Sequence, residues 1–124
     1  MALLLTSADL PGDFVYPSAL VRVVEHGLLD LEPWEVLEGA TLLHRLRGLR
    51  SRYPDHRYIP FACRTDTDDV VCWDPDERPG RVVVVHDFAS PGWERQGSFE
   101  DVSAWLRQAF EDFVAWGEIE EQQS

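Results

Sequence analysis

The chain has 124 residues, 44% of them hydrophobic and five of them tryptophan, enough for one domain around one core and too apolar for disorder except at the ends. Twenty-three acidic residues face eleven arginines and no lysine, and the formal charge of −12 argues against direct nucleic-acid binding while favouring encounter with a basic partner. The same acidity also serves plain solubility, so charge alone does not separate a docking surface from a solvated one.

In chain order, the opening MALLL run is too short for a signal peptide or a membrane span and has no base before it. A cytoplasmic protein without membrane contact is expected. Pro17 suits the first turn of a helix, Leu20, Val21, Val23 and Val24 supply its apolar positions, and Gly27 is placed to end it. Pro33 then breaks the helical pattern, and Trp34, Val36 and Leu37 suggest a short extended piece packed by its indole. Leu42, Leu43, Leu46 and Leu49 form a stripe that predicts a second helix from Ala40 to Arg52, ended by Pro54.

A three-stranded antiparallel meander is expected next. Its first strand runs from Tyr58 to Cys63, with Pro60 arguing for an edge or an irregularity. Its second strand is Val70–Trp73, after a turn of Asp66, Thr67, Asp68 and Asp69, residues that readily bond their own backbone. Its third runs from Arg81 to Phe88, where four consecutive valines predict burial on both faces. The last helix is read from Ser98 as N-cap with Asp101 three residues on. Phe99, Val102, Leu106, Phe110 and Phe113 form its core-facing stripe, and Gly117 closes it before a polar tail over 118–124.

The candidate chemistry is sparse. His86–Asp87 invites comparison with metal-dependent phosphohydrolases, but the other histidines, His26, His44 and His56, fall on scattered elements, and a structural histidine at a strand end is the preferred reading. Asp66, Asp68 and Asp69 lack the further oxygens, central glycine and closing glutamate of a calcium loop, so no metal and no cofactor is expected. Cys63 and Cys72 fit no zinc pattern; two reduced, buried thiols are expected, with a disulfide as the secondary reading. The turn at Pro91–Gly92 can offer Trp93 at the surface beside Glu94, although burial of that indole against the last helix is an equal alternative.

The order of several segments resembles the SUKH superfamily, named for yeast cell-wall-synthesis regulators and including many bacterial immunity proteins. They are Leu10–Pro11 before the first helix, YIPFA (Tyr58–Ala62), DTDDVVCWD (Asp66–Asp74), VVVVHDF (Val82–Phe88) and SFEDVSAWL (Ser98–Leu106). The first helix departs from that pattern in lacking the Gly-Gly that follows it in many members. The resemblance implies an α+β fold with helices packed on a central, mostly antiparallel sheet, a single domain, and a non-enzymatic protein-binding role. Bacterial members typically bind and neutralise a toxin, often a nuclease. The expected partner is a protein, a basic toxin surface for choice, met by Asp66, Asp68, Asp69, Asp74, Trp93 and Glu94. The alternatives are a housekeeping scaffold and, from a different class, a small metal-dependent hydrolase at His86–Asp87.

Overall fold

A computed structural model describes residues 4–6 and 8–123, apart from the side chain of Gln123; Met1–Leu3 of the opening apolar run, Ser7 and Ser124 lie outside the described residues. Helix α1 (Ser18–Glu25) starts at Pro17, whose carbonyl accepts the Leu20 and Val21 N–H groups. It ends where Gly27 turns left-handed at φ 69° and the Leu28 N–H returns to the Val23 carbonyl. The Leu29–Leu37 stretch is a hairpin, β1 (Asp30–Leu31) and β2 (Trp34–Val36), folded through a cis Glu32–Pro33 bond. Helix α2 (Gly39–Arg52) follows and buries Leu42, Leu46 and Leu49 as its stripe requires. Each leucine so removed from water is worth roughly 2 kcal/mol relative to exposure.

Strands β3 (Ile59–Arg64), β4 (Asp69–Trp73), β5 (Val82–His86) and β6 (Arg95–Phe99) complete one antiparallel sheet in the order β1-β2-β3-β4-β5-β6. Helix α3 (Val102–Gln123) ends the described chain. The register sets the two faces, because side chains alternate along each strand. Val70, Cys72, Val83 and Val85 share one face, and α2 lies over it, its Arg45 and Arg52 reaching Asp87 just beyond β5. Trp73 lies on the other face, where it meets Phe61 and receives Phe14 and Tyr16 from the segment before α1. There Trp105 of α3 stands edge-on to Trp34 and Phe61, with ring centroids 5.7 and 5.2 Å away. The α+β class and the antiparallel sheet are therefore as expected, but the sheet has six strands rather than three.

Pro60 marks an irregularity, one of its two expected roles, and not an edge: β3 sits between β2 and β4, and the missing donor is absorbed by a bulge between Pro60 and Ala62. Three other local expectations are corrected. Ser98 belongs to β6, where it accepts a hydrogen bond from Arg81, and Asp101 caps α3 by accepting the Ala104 N–H at 2.8 Å. Gly117 does not end α3, which continues through Gln123. The buried face of α3 is Val102, Trp105 and Ala109, while Phe110 and Phe113 are exposed. The two cysteines are free and buried; Cys63 pairs across the ladder with Val70 and Cys72 with Pro60, so the thiols are not opposite one another. No helix among the described residues is long and apolar enough to cross a membrane.

Candidate docking site

Three connections meet at one end of the sheet. The β1–β2 turn touches the β3–β4 turn where the Thr65 N–H donates to the Pro33 carbonyl at 2.8 Å. The β3–β4 turn touches the β5–β6 loop where the Asp87 N–H donates to the Asp68 carbonyl at 2.9 Å. Antiparallel pairing brings these segments together, since alternate connections of a meander fall at the same end.

The β5–β6 loop, residues 87–94, is held from below by buried polar groups. Asp87 is fully buried, and its carboxylate accepts Arg52 Nε and Nη2 at 2.6 Å each, Arg45 Nη1 at 3.0 Å and the Phe88 N–H at 2.9 Å. Burial alone would raise its pKa; the arginine hydrogen bonds outweigh that and leave it below the ordinary aspartate value. Tyr53 of the α2 C-terminus donates its hydroxyl to the Ala89 carbonyl at 2.7 Å. Farther along, Ser90-Pro91-Gly92-Trp93 forms a tight turn, closed by the Trp93 N–H on the Ser90 carbonyl, with Gly92 at φ 95° as the turn demands. Glu94 is buried beneath that turn. One of its oxygens accepts the Gly92 N–H at 2.8 Å and the other accepts the Tyr58 hydroxyl at 3.3 Å. Burial, and then the Glu94 charge, push the Tyr58 phenol pKa well up, so it stays a donor at any working pH.

These anchors turn two large aromatic side chains outward. Phe88 is 63% exposed and Trp93 78% exposed. Phe88 sits at φ 69°, a left-handed conformation that disfavours any side chain by roughly 1–2 kcal/mol. The Arg52 guanidinium, already tied to Asp87, lies 4.1 Å from the Phe88 ring centroid and steadies it as a cation–π partner. Strain of this kind persists only where the surroundings over-determine the backbone, and it concentrates at functional sites. A loop held in this way has little freedom left to lose on binding, which favours tight docking.

The acidic turn beside the loop is less uniform than its sequence. Asp66 is held in a two-pronged ion pair by Arg64, at 2.8 and 3.0 Å, which lowers its pKa and compensates its charge. Asp69 meets His86 Nδ1 at 2.9 Å. Asp68 is exposed, and its carboxylate has no partner among the described residues.

Of the residues singled out in the sequence, Asp66, Asp68, Asp69 and Trp93 are thus brought to one end. Asp74 and Glu94 are buried, each carboxylate engaged by neighbouring donors. Asp74 accepts the Asp76 N–H at 2.9 Å and faces Arg95 at 3.5 Å; Glu94 answers Tyr58 and Gly92. Glu94 supports the surface without forming it, and Asp74 begins the β4–β5 connection at the opposite end of the sheet. Phe88, assigned by its valine run to the end of a strand, was missed; the signal is an aromatic on each side of the Ser-Pro-Gly turn. The His86–Asp87 pair is already engaged, His86 with Asp69 and Asp87 with two arginines, which leaves Asp87 no oxygen facing a metal. No group of three histidine, cysteine, aspartate or glutamate side chains among the described residues is arranged to hold an ion. Comparison with family models, with curated proteins and with solved structures gives no match.

Proposed function

We propose that this chain is a non-enzymatic protein-binding domain of the SUKH type, and that it neutralises a toxin by covering a basic surface with the end of the sheet just described. The observation that carries this reading is the pair of exposed aromatics, Phe88 and Trp93, on a loop braced by the buried acids Asp87 and Glu94. Aromatic anchors of this kind supply most of the binding energy of many interfaces. Asp68, with its carboxylate open to solvent, and the −12 field around it steer a basic partner toward those anchors. Asp66 and Asp69 carry partners of their own, so they contribute shape and local field more than a fresh ion pair. The segments that resemble the SUKH superfamily fall before α1 and on β3, β4, β5, β6 and α3, and the docking loop begins within the VVVVHDF segment.

The test is co-purification of the chain with the product of its neighbouring gene, followed by Trp93→Ala, Phe88→Ala and Asp68→Arg. Loss of capture with either aromatic, and a weaker salt dependence with Asp68→Arg, is the expected outcome. Capture that none of the three alters would remove this end of the sheet from the mechanism. A captured partner with no toxic activity would assign the chain to scaffolding instead.

A further inference from the structure

Helix α3 carries a second apolar stripe that the described residues leave largely uncovered. Phe110, Phe113, Val114 and Gly117 recur at helical spacing, rotated away from the Val102, Trp105 and Ala109 face that packs on the sheet, with the half-buried Leu106 joining the two faces. Phe110 is 58% and Val114 46% exposed, and the Phe110 and Phe113 rings lie 6.2 Å apart. Beyond Ala109, Asp112 and Trp116 are the half-buried residues of 110–122, and Asp112 accepts the Trp34 indole N–H at 2.9 Å. A contiguous apolar strip on a domain this small marks an interaction surface.

Gly117 forms the C-terminal end of that strip. Glycine is the least favoured residue after proline inside a helix. A Cβ added at Gly117 would meet nothing within 4 Å, so the packing of this chain does not require its absence. A glycine in such a place is explained by close approach of something else. Beside it opens a shallow pocket of about 350 Å³ with Phe113, Val114 and Trp116 as its apolar lining and Glu32 and Glu120 at its rim. These two carboxyls are close enough to share a hydrogen bond, which raises the Glu32 pKa.

The charge around the strip selects the occupant. From Phe110 to Glu121 there are five acidic residues and no basic one, and Arg107 is the single base of α3. A second copy would set acid against acid, and an anionic bilayer would be repelled. We propose that the Phe110–Gly117 strip of α3 docks an amphipathic helix of a partner protein whose apolar face is bordered by lysine or arginine, with a bulky side chain of that helix seated at Gly117. This surface lies on a different element from the 87–94 loop and stands or falls separately.

The experiment uses the full chain and a fluorescein-labelled 18-residue Leu/Lys amphipathic peptide, with a Leu/Glu peptide of the same pattern as control, read by fluorescence anisotropy. The Leu/Lys peptide is expected to bind and the Leu/Glu peptide not to. Phe113→Asp and Gly117→Ala should each weaken binding at least tenfold, although Gly117→Ala raises the thermal midpoint by roughly 3 °C. Higher stability with lower affinity separates a lost docking site from a damaged fold. Equal binding by the wild type and both variants overturns the proposal, since the peptide would then be responding to net charge alone. Sedimentation of the wild type as a dimer that Phe113→Asp makes monomeric also overturns it, in favour of a second copy. Binding to phosphatidylcholine vesicles that the same substitution abolishes overturns it in favour of lipid.

Discussion

Trp93 and Glu94 are neighbours in the chain and opposites in environment: the indole stands in solvent while the carboxylate beside it is sealed under the turn, bonded to the Gly92 N–H and the Tyr58 hydroxyl. The exposed side chain is therefore aimed by the buried one. A carboxylate taken out of water is destabilising unless its lone pairs are answered. Its presence here shows how firmly the turn is fixed.

Glu94→Ala should uncouple the two. It leaves the Tyr58 hydroxyl and the Gly92 N–H without their acceptor, which costs about 2–3 kcal/mol of stability. Amide hydrogen exchange at Gly92 and Trp93 should accelerate more than exchange in β4 and β5. Uniform acceleration across the sheet, or none, would contradict a local anchoring role.

Asp87→Asn should destabilise the domain by about 3 kcal/mol near neutral pH, because Arg45 and Arg52 lose the anion they share. The pH dependence has a definite sign. The native pKa lies below the ordinary value of about 3.9, so the native state binds this proton more weakly than the unfolded chain does. The contribution is complete above about pH 5, declines below the unfolded-state pKa and disappears as pH falls through the native pKa. Urea unfolding of both proteins between pH 7 and pH 2.5 should show the gap closing only on the acid side. A gap that persisted at the lowest pH would assign the effect to packing.

Phe88→Gly should separate stability from docking. Glycine adopts φ 69° freely, and the relief of strain offsets the lost Arg52–Phe88 contact. Equilibrium unfolding should change by less than about 1 kcal/mol in either direction. Affinity for the proposed protein partner should fall. A strongly destabilised variant would show that the phenyl ring is part of the structural support.

Trp93→Ala should leave unfolding within about 0.5 kcal/mol of the wild type, as expected for a side chain with little burial. Affinity for the proposed partner should drop by about 30-fold, the equivalent of about 2 kcal/mol for an interface anchor. Calorimetric titration decides it; unchanged affinity would take Trp93 out of the interface.

Native Cys63 and Cys72 should resist thiol reagents at pH 8. Burial raises both pKa values, that of Cys72 well above the ordinary thiol value, and an unreactive thiol is the consequence. Ellman's reagent should label both only after urea is added. Stoichiometric labelling of the folded protein within seconds would show that β3 and β4 open readily.

Legibility in the sequence followed the strength of local signals. Pro17 and Gly27 bracket α1, and the leucine stripe gives α2 almost residue for residue. The acidic turn and the valine run give β4 and β5. The β6 strand escaped because Arg-Gln-Gly-Ser-Phe shows no alternation; it is an edge strand whose middle is exposed on both faces. The face of α3 escaped for the opposite reason, since the helix has two apolar stripes and periodicity does not choose between them. Trp34 and Phe61 choose, by offering a surface that only Trp105 fills. Asp74 and Glu94 read as surface acids because their partners, Arg95 and Tyr58, join them only across the fold.

The strands stand in the sheet in the order in which they are synthesised. No later strand has to be threaded between two earlier ones, so a nascent chain can zip each new ribbon onto the last. The one wide gap, from Val36 to Ile59, is shortened by α2 into a compact spacer. Loop-closure entropy is therefore met in small instalments. The growing edge stays available until β6, with its arginine, glutamine and serine, presents a polar border to the next molecule.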